Sequence, residues 1–164
     1  MGTLRVVVLI AATVDMGLMA GVFVIYANAI MPGLRRVDDA TFVRVFAALD
    51  RAILNPLFLA GGFLGALALA GLSAGLHLTA DTRPVLPWLV AAFVLYLGAV
   101  VVTIAVNVPL NDGLKAAGPD ADPEAVRAAF DETRWSRWNL ARAVLTSAAF
   151  ALLTWALVEY GRTA

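Results

Sequence analysis

The chain alternates long uncharged stretches with short polar ones. Between Arg5 and Arg35 the only charged residue is Asp15. Between Arg51 and Asp81, and again between Arg83 and Asp112, there is none, and a shorter clean window lies between Arg142 and Glu159. A helix needs about 20 apolar residues to cross a bilayer. The pattern therefore predicts four membrane-spanning helices, near residues 6–30, 53–77, 86–108 and 139–158.

The two longer polar connections have a periodicity of their own. After Asp39, read as an N-cap, the residues Phe42, Val45, Phe46, Leu49 and Ile53 recur at helical spacing. After Asp122, Pro123 suits the first position of a helix, and Val126, Ala129 and Phe130 continue a weaker apolar stripe. Both read as short amphipathic helices lying at the membrane interface. The stretch Ala116 to Asp122 reads as a loop. The predicted fold is one all-α domain over residues 1–164, an antiparallel four-helix membrane bundle with amphipathic helices in its two long loops. Each half then runs span, amphipathic helix, span, with Asn55 and Asn139 heading corresponding spans, a parallel repeat that chance resemblance rivals.

Composition agrees. Hydrophobic residues are 62% of the 164 and charged residues 15%, against about 45–50% and about 25% in soluble domains. The 12 Lys and Arg balance 12 Asp and Glu, which excludes a strongly basic nucleic-acid binder. With no cysteine and one histidine, the chain has no disulfide, thiolate metal site or multi-histidine metal site of its own.

The side holding both termini and the connection around Asp81 and Arg83 carries three basic residues, Arg5, Arg83 and Arg162. The opposite side carries the other nine, among them Arg35, Arg36, Arg44, Arg51 and Lys115. By the positive-inside rule the long loops face the cytoplasm and the termini lie outside, in the plasma membrane if the source is bacterial. A cleaved signal peptide is the rival reading of the first span, but the apolar run is long for one and contains Asp15.

Glycines four residues apart, Gly17 and Gly21, Gly61 and Gly65, Gly71 and Gly75, read as close-packing faces within the bundle or between copies in a homo-oligomer. The chemistry concentrates elsewhere. Tyr26 and Asn28 end the first span, Asn55 and Pro56 begin the second, Asn107, Pro109 and Asn111 end the third, and Trp135, Trp138, Asn139 and Arg142 begin the fourth. All four helices thus place amides at one level, where an unpaired buried amide costs several kcal/mol. At about 100° per residue three stripes emerge. They are Asn55, Leu59, Gly62, Ala66, Ser73 and His77 on the second helix, Phe93, Tyr96, Val100, Thr103 and Asn107 on the third, and Trp135, Trp138, Asn139, Arg142 and Thr146 on the fourth. Facing inward, they would line a cavity open toward the interface. Each residue also has an ordinary reading: aromatic anchor for the tryptophans, snorkelling for Arg142, cap or interhelical glue for the asparagines. Their convergence from four helices favours a site. Asp15, near mid-span, reads as a general base or proton relay, or as a protonated carboxyl bonded to a neighbouring helix. His77 sits near the outer end as an interfacial hydrogen-bonder, with haem ligation the rival reading.

The segments GLMAGVFVIYANAIMPGLRRVDDATFV, RAILNPLFL, VTIAVNVPLNDGL and RWSRWNLARA together resemble the small four-helix membrane proteins grouped with the fungal anthrone oxygenases. The likeness runs in order from about Gly17 to Leu157, and NVPLND and RWSRWNLAR are its most specific pieces. The resemblance implies oxidation of an anthrone to an anthraquinone with dioxygen and with no metal or organic cofactor. The positions it covers include Asn28, Asn55, Asn107, Asn111, Trp135, Trp138, Asn139 and Arg142. On that chemistry a base removes a proton from the central CH2, the anion reduces dioxygen, and the resulting peroxide loses water. Arg142, Asn139 and Asn55 are then expected to stabilise the oxyanion, with Asp15 the embedded carboxylate available as base. Trp135, Trp138, Asn28, Asn107, Asn111 and Tyr96 are expected to hold the small aromatic substrate. The rival reading is a non-catalytic membrane protein that binds or carries an aromatic, quinone or lipid ligand.

Overall fold

A computed structural model describes residues 2–78, 83–118 and 120–163, and these are almost wholly helical, with no strand among them. We number the helices α1 (Gly2–Leu34), α2 (Asp39–Ile53), α3 (Leu57–Leu76), α4 (Leu86–Ala116), α5 (Pro123–Phe130) and α6 (Glu132–Thr163). Helices α1, α3, α4 and α6 are each long and apolar enough to cross a membrane. They close a ring in which α1 and α4 each pack between α3 and α6. Neighbours are antiparallel. The Arg5 Nε at the start of α1 donates to the Leu76 carbonyl at the end of α3. On the other flank, Trp88 meets Trp155 while Thr103 meets Arg142.

The ring is tight where its inward positions are small. Ala12, Ala66, Ala70, Ala92, Ala99, Ala149 and Ala156 are buried among Leu9, Met16, Leu89 and Leu153. In lipid, close approach of backbones takes over the role that hydrophobic collapse plays in water. The glycine pairs divide accordingly. A Cβ on Gly17 would meet the Phe150 ring at 2.9 Å and one on Gly71 the Phe93 ring at 3.2 Å, whereas Gly21 and Gly75 face open space.

At the opposite end three spans loosen at one level. Tyr26–Ile30, Leu57–Phe63 and Thr103–Asn107 are π-helical turns. Two of the three have a proline just beyond them, Pro32 and Pro109. A proline lacks its N–H, and its ring crowds the carbonyl four residues back, here that of Asn28 or Ala105. A wider i→i+5 turn relieves both constraints. Pro56 immediately precedes the third π turn.

Over this end lie α2 and α5. Their apolar faces form a second core of Phe42, Phe46 and Phe130 with Met31, Leu114 and Trp135. The Phe46 and Phe130 rings lie 4.6 Å apart. Arg127 ties the layer down. It donates to the Val37 carbonyl, Asp39 and Glu132, and its guanidinium sits 4.3 Å from the Phe42 ring centroid. Asp122 caps α5 by accepting from the Glu124 N–H. The αL residue Asp131, at φ 49°, turns the chain from α5 into α6.

Several expectations need correction. The cap of α2 is Asp38, which accepts from the Thr41 N–H at 2.9 Å, and Asp39 is the first helical residue. Residues 53–56 belong to the end of α2 and a turn, so the second span starts at Leu57. The fourth starts at Glu132, seven residues before the expected 139, because a polar amphipathic turn runs on into the apolar span without a break. Asp81 of the short connection, and Pro119 of the expected loop, lie outside the described residues.

Candidate functional site

Loosening the spans under the α2 roof opens a cavity of about 320 Å³, within the range of small-molecule sites. Every helix except α5 contributes to its wall. Helix α1 supplies Val22, Phe23 and Tyr26; α2 supplies Phe46, Asp50 and Ile53. Helix α3 adds Phe58, Leu59, Phe63 and Leu64, and α4 adds Thr103, Ile104, Val108 and Asn111. Trp135, Asn139 and Arg142 come from α6, and Leu54 from the turn before α3. The wall is largely apolar and aromatic, with polar groups in two places.

The first is Arg142, buried nearly three turns into α6. Its Nη2 donates to Asn139 Oδ1 at 2.9 Å and its Nη1 to Thr103 Oγ1 at 3.3 Å. The guanidinium also lies 4.6 Å from the Phe23 ring centroid and 5.4 Å from that of Trp135. Its Nε has no hydrogen-bond partner. Its hydrogen-bond partners among the described residues are therefore neutral, and Asp50 shares the wall without touching it; a buried cation with no carboxylate in contact is costly. Asn139 donates its own N–H to the Phe23 carbonyl at 3.1 Å. Both ends of that amide are thus committed to holding Arg142 and tying α6 to α1.

The second is Asp50, on the inner face of α2. Asn111 Nδ2 donates to its Oδ1 at 2.7 Å, and Lys115 Nζ lies 2.6 Å from its Oδ2. Asn111 in turn accepts from Trp135 Nε1 at 2.7 Å. A chain of contacts thus runs from Lys115 through Asp50 and Asn111 to the Trp135 indole, joining α4, α2 and α6 along one edge of the cavity.

The structure brings together part of the expected cluster. Trp135, Asn111, Asn139 and Arg142 share the cavity wall. Asn107 is buried behind it and donates to the Trp135 carbonyl at 3.3 Å. Tyr96 stands below, donating to the Phe63 carbonyl at 2.9 Å and supporting the Phe63 ring. Five residues go elsewhere. Asn28 is exposed. Asn55 is exposed too and caps α3, accepting from the Phe58 N–H while donating to the Ala52 carbonyl. Asn28 belongs to a π turn, and Asn55 lies in the turn before α3, ahead of the helix on whose 100° phase its stripe was drawn. Trp138 is 41% exposed and points outward. Asp15 lies outside the cavity wall, in the seam between α1 and α3, its Oδ2 3.1 Å from where a Cβ on Gly65 would stand. His77 is buried at the far end, donating through Nδ1 to the Ser73 carbonyl with its ring against Tyr160.

Asp50 and Lys115 were not among the expected site residues. A signal for Asp50 was present: it follows Phe42 by eight residues and Phe46 by four, so it is a carboxylate on the apolar stripe of α2. Lys115 had no such signal beyond its place one turn after Asn111.

Neither a curated protein nor a solved structure matches the chain. A family model described as anthrone oxygenase matches residues 42–152. That stretch is more than half of the chain, and it holds Asp50, Asn111, Trp135, Asn139 and Arg142. The chain belongs to the anthrone oxygenase family.

Proposed function

We propose that the protein is an oxygenase that converts a small phenolic or anthrone-type aromatic to a quinone with dioxygen. The observation that carries this reading is Arg142, a buried cation on the wall of an aromatic cavity whose hydrogen-bond partners are all neutral. Such a group is expensive in the free protein and favourable once an anion forms beside it. The chemistry supplies that anion. Loss of a proton from the central CH2 of an anthrone leaves a carbanion delocalised onto its oxygen as a phenolate.

The proton goes to Asp50, the carboxylate on the same wall. Each of its oxygens keeps a lone pair beyond those used by Asn111 and Lys115. The anion passes one electron to dioxygen, and the substrate radical and superoxide combine to form a carbon–oxygen bond. The peroxide takes up the proton and expels water, leaving the quinone, so one anthrone and one dioxygen give one quinone and one water. The protein's part is to stabilise the anion with Arg142, take the proton with Asp50 and hold the ring flat against Phe23, Phe46 and Trp135. Asn139 is a positioning residue for Arg142. The basic residues gathered around the α2 and α5 end support a cytoplasmic position for that end.

The test is dioxygen uptake by the purified protein in detergent with a panel of anthrones and hydroquinones. Uptake above the spontaneous rate, matched one to one by quinone and lost in folded Arg142→Gln, is the expected result. Binding of the panel without uptake would instead make the protein an aromatic-ligand carrier. Full turnover in Arg142→Gln would overturn the site.

A further inference from the structure

We infer that the cavity takes its ligand sideways from the hydrocarbon layer, through a gap between α3 and α4, and not from water past α2. This rests on the cavity being the ligand site. On the water side the wall is closed by α2. Phe46 and Asp50 are only 2% and 8% exposed, and the layer is held by the second aromatic core and the Arg127 contacts.

The lining residues that are exposed mark where the wall meets the outside. Four of them lie on the adjoining edges of α3 and α4, Leu59 and Leu64 on one edge and Ile104 and Val108 on the other, and the fifth, Leu54, is in the turn leading into α3. Leu64 is 52% and Ile104 62% exposed, against 6% or less for Phe23, Trp135, Asn139 and Arg142 on the opposite wall. The two helices pack along Leu64–Leu76 and Leu86–Val102, but their π turns, Leu57–Phe63 and Thr103–Asn107, hardly touch. The rim is entirely Leu, Ile and Val, and it sits in the two charge-free stretches of the chain. A mouth of that chemistry faces lipid tails. It admits an uncharged, flat, apolar molecule already dissolved in the bilayer, which then becomes anionic only beside Arg142.

The probe for the test is 2-hydroxyanthraquinone, whose phenol and phenolate forms differ in visible absorption. The protein is placed in phosphatidylcholine nanodiscs, and stopped-flow absorbance follows binding. With wild-type protein the association rate should follow the mole fraction of probe in the bilayer, falling when empty vesicles dilute it. In Ile104→Trp combined with Leu59→Trp, association and dissociation should slow together by about tenfold or more, as for a narrowed passage. Ile104→Phe alone, a milder change at a lipid-facing position, should slow both in the same direction and covers failure of the double variant to fold. Unchanged rates in a folded portal variant, with binding still dependent on Arg142, would overturn lateral entry and leave the site standing. No Arg142-dependent phenolate signal in wild-type protein would overturn the site reading itself.

Discussion

The two ends of the bundle solve the same problem in opposite ways. At the end near Arg5 and His77, small residues let the spans close on one another, and Arg5 and His77 each donate to a carbonyl within the protein, of Leu76 and Ser73, while His77 Nε2 and Ser73 Oγ have no hydrogen-bond partner. At the other end, prolines and π turns hold three spans apart, aromatic rings surround the space, and a guanidinium faces it with neutral partners. The first end is built for stability. The second gives up packing and leaves a buried cation with only neutral groups in contact, which is how a protein stores binding energy for a ligand or a transition state. The two embedded carboxylates repeat the contrast. Asp15 sits in a helix seam beside glycines, while Asp50 sits on the cavity wall in a hydrogen-bonded chain.

The sharpest way to break the comparison is to remove each carboxylate. Asp50→Asn should lower kcat by about 10²–10⁴-fold, the usual contribution of a general base, whereas Asp15→Asn should leave turnover of the same anthrone near wild type. Equal losses would mean that the cavity carboxylate has no special role. Next in size is Arg142→Met. Loss of a preorganised charge at a developing oxyanion costs about 10²–10³-fold, so quinone formation should fall by that order. The thermal unfolding midpoint should stay level or rise, since a buried cation with only neutral hydrogen-bond partners is removed. A large drop in that midpoint would show that Arg142 is structural.

Packing offers a third comparison. Ala92→Leu toward the closed end, at a fully buried core position, should destabilise the protein by about 1–3 kcal/mol through overpacking. Val22→Phe, which projects into the cavity, should cost much less stability while weakening probe binding, measured by unfolding in detergent and by titration. The smallest effect concerns the roof. The Thr41 N–H that caps onto Asp38 holds that carboxyl below its usual range. A depressed folded pKa contributes stability above the ordinary carboxylate range, and this is lost as pH falls through the folded value. The unfolding midpoint should therefore show a shallow decline there, and Asp38→Asn, which keeps the cap without titrating, should flatten it.

Much of the site was legible. Trp135, Asn139, Arg142 and Asn111 can be placed together because α6 is an uninterrupted helix that opens on RWSRWNLAR, and the end of its neighbour α4 is marked by NVPLND. The second and first spans misled for a definite reason. Asn55 is projected inward on a uniform helical phase, but it precedes the helix as its cap, and Asn28, grouped with the others by its level alone, lies on a π turn that leaves it exposed. Asp50 escapes notice because a charge in a loop helix is most often a solvated one, and the stripe of Phe42, Val45, Phe46, Leu49 and Ile53 reads as an interfacial apolar face.

What the sequence determined by itself is the class of molecule. Charge-free stretches of spanning length admit one solution in lipid, because only helices satisfy every backbone group there. The amphipathic period of α2, its aspartate cap, and the level shared by the polar helix ends follow from local rules. What the tertiary structure decided is which polar groups face one another and which face lipid. That depends on where each span leaves α-helical geometry, on α2 folding down over the end of the bundle, and on the gap left between α3 and α4. A single residue added to one helical turn swings everything beyond it around the axis, and no periodicity drawn along one strand of sequence registers that until the neighbouring helices are in place.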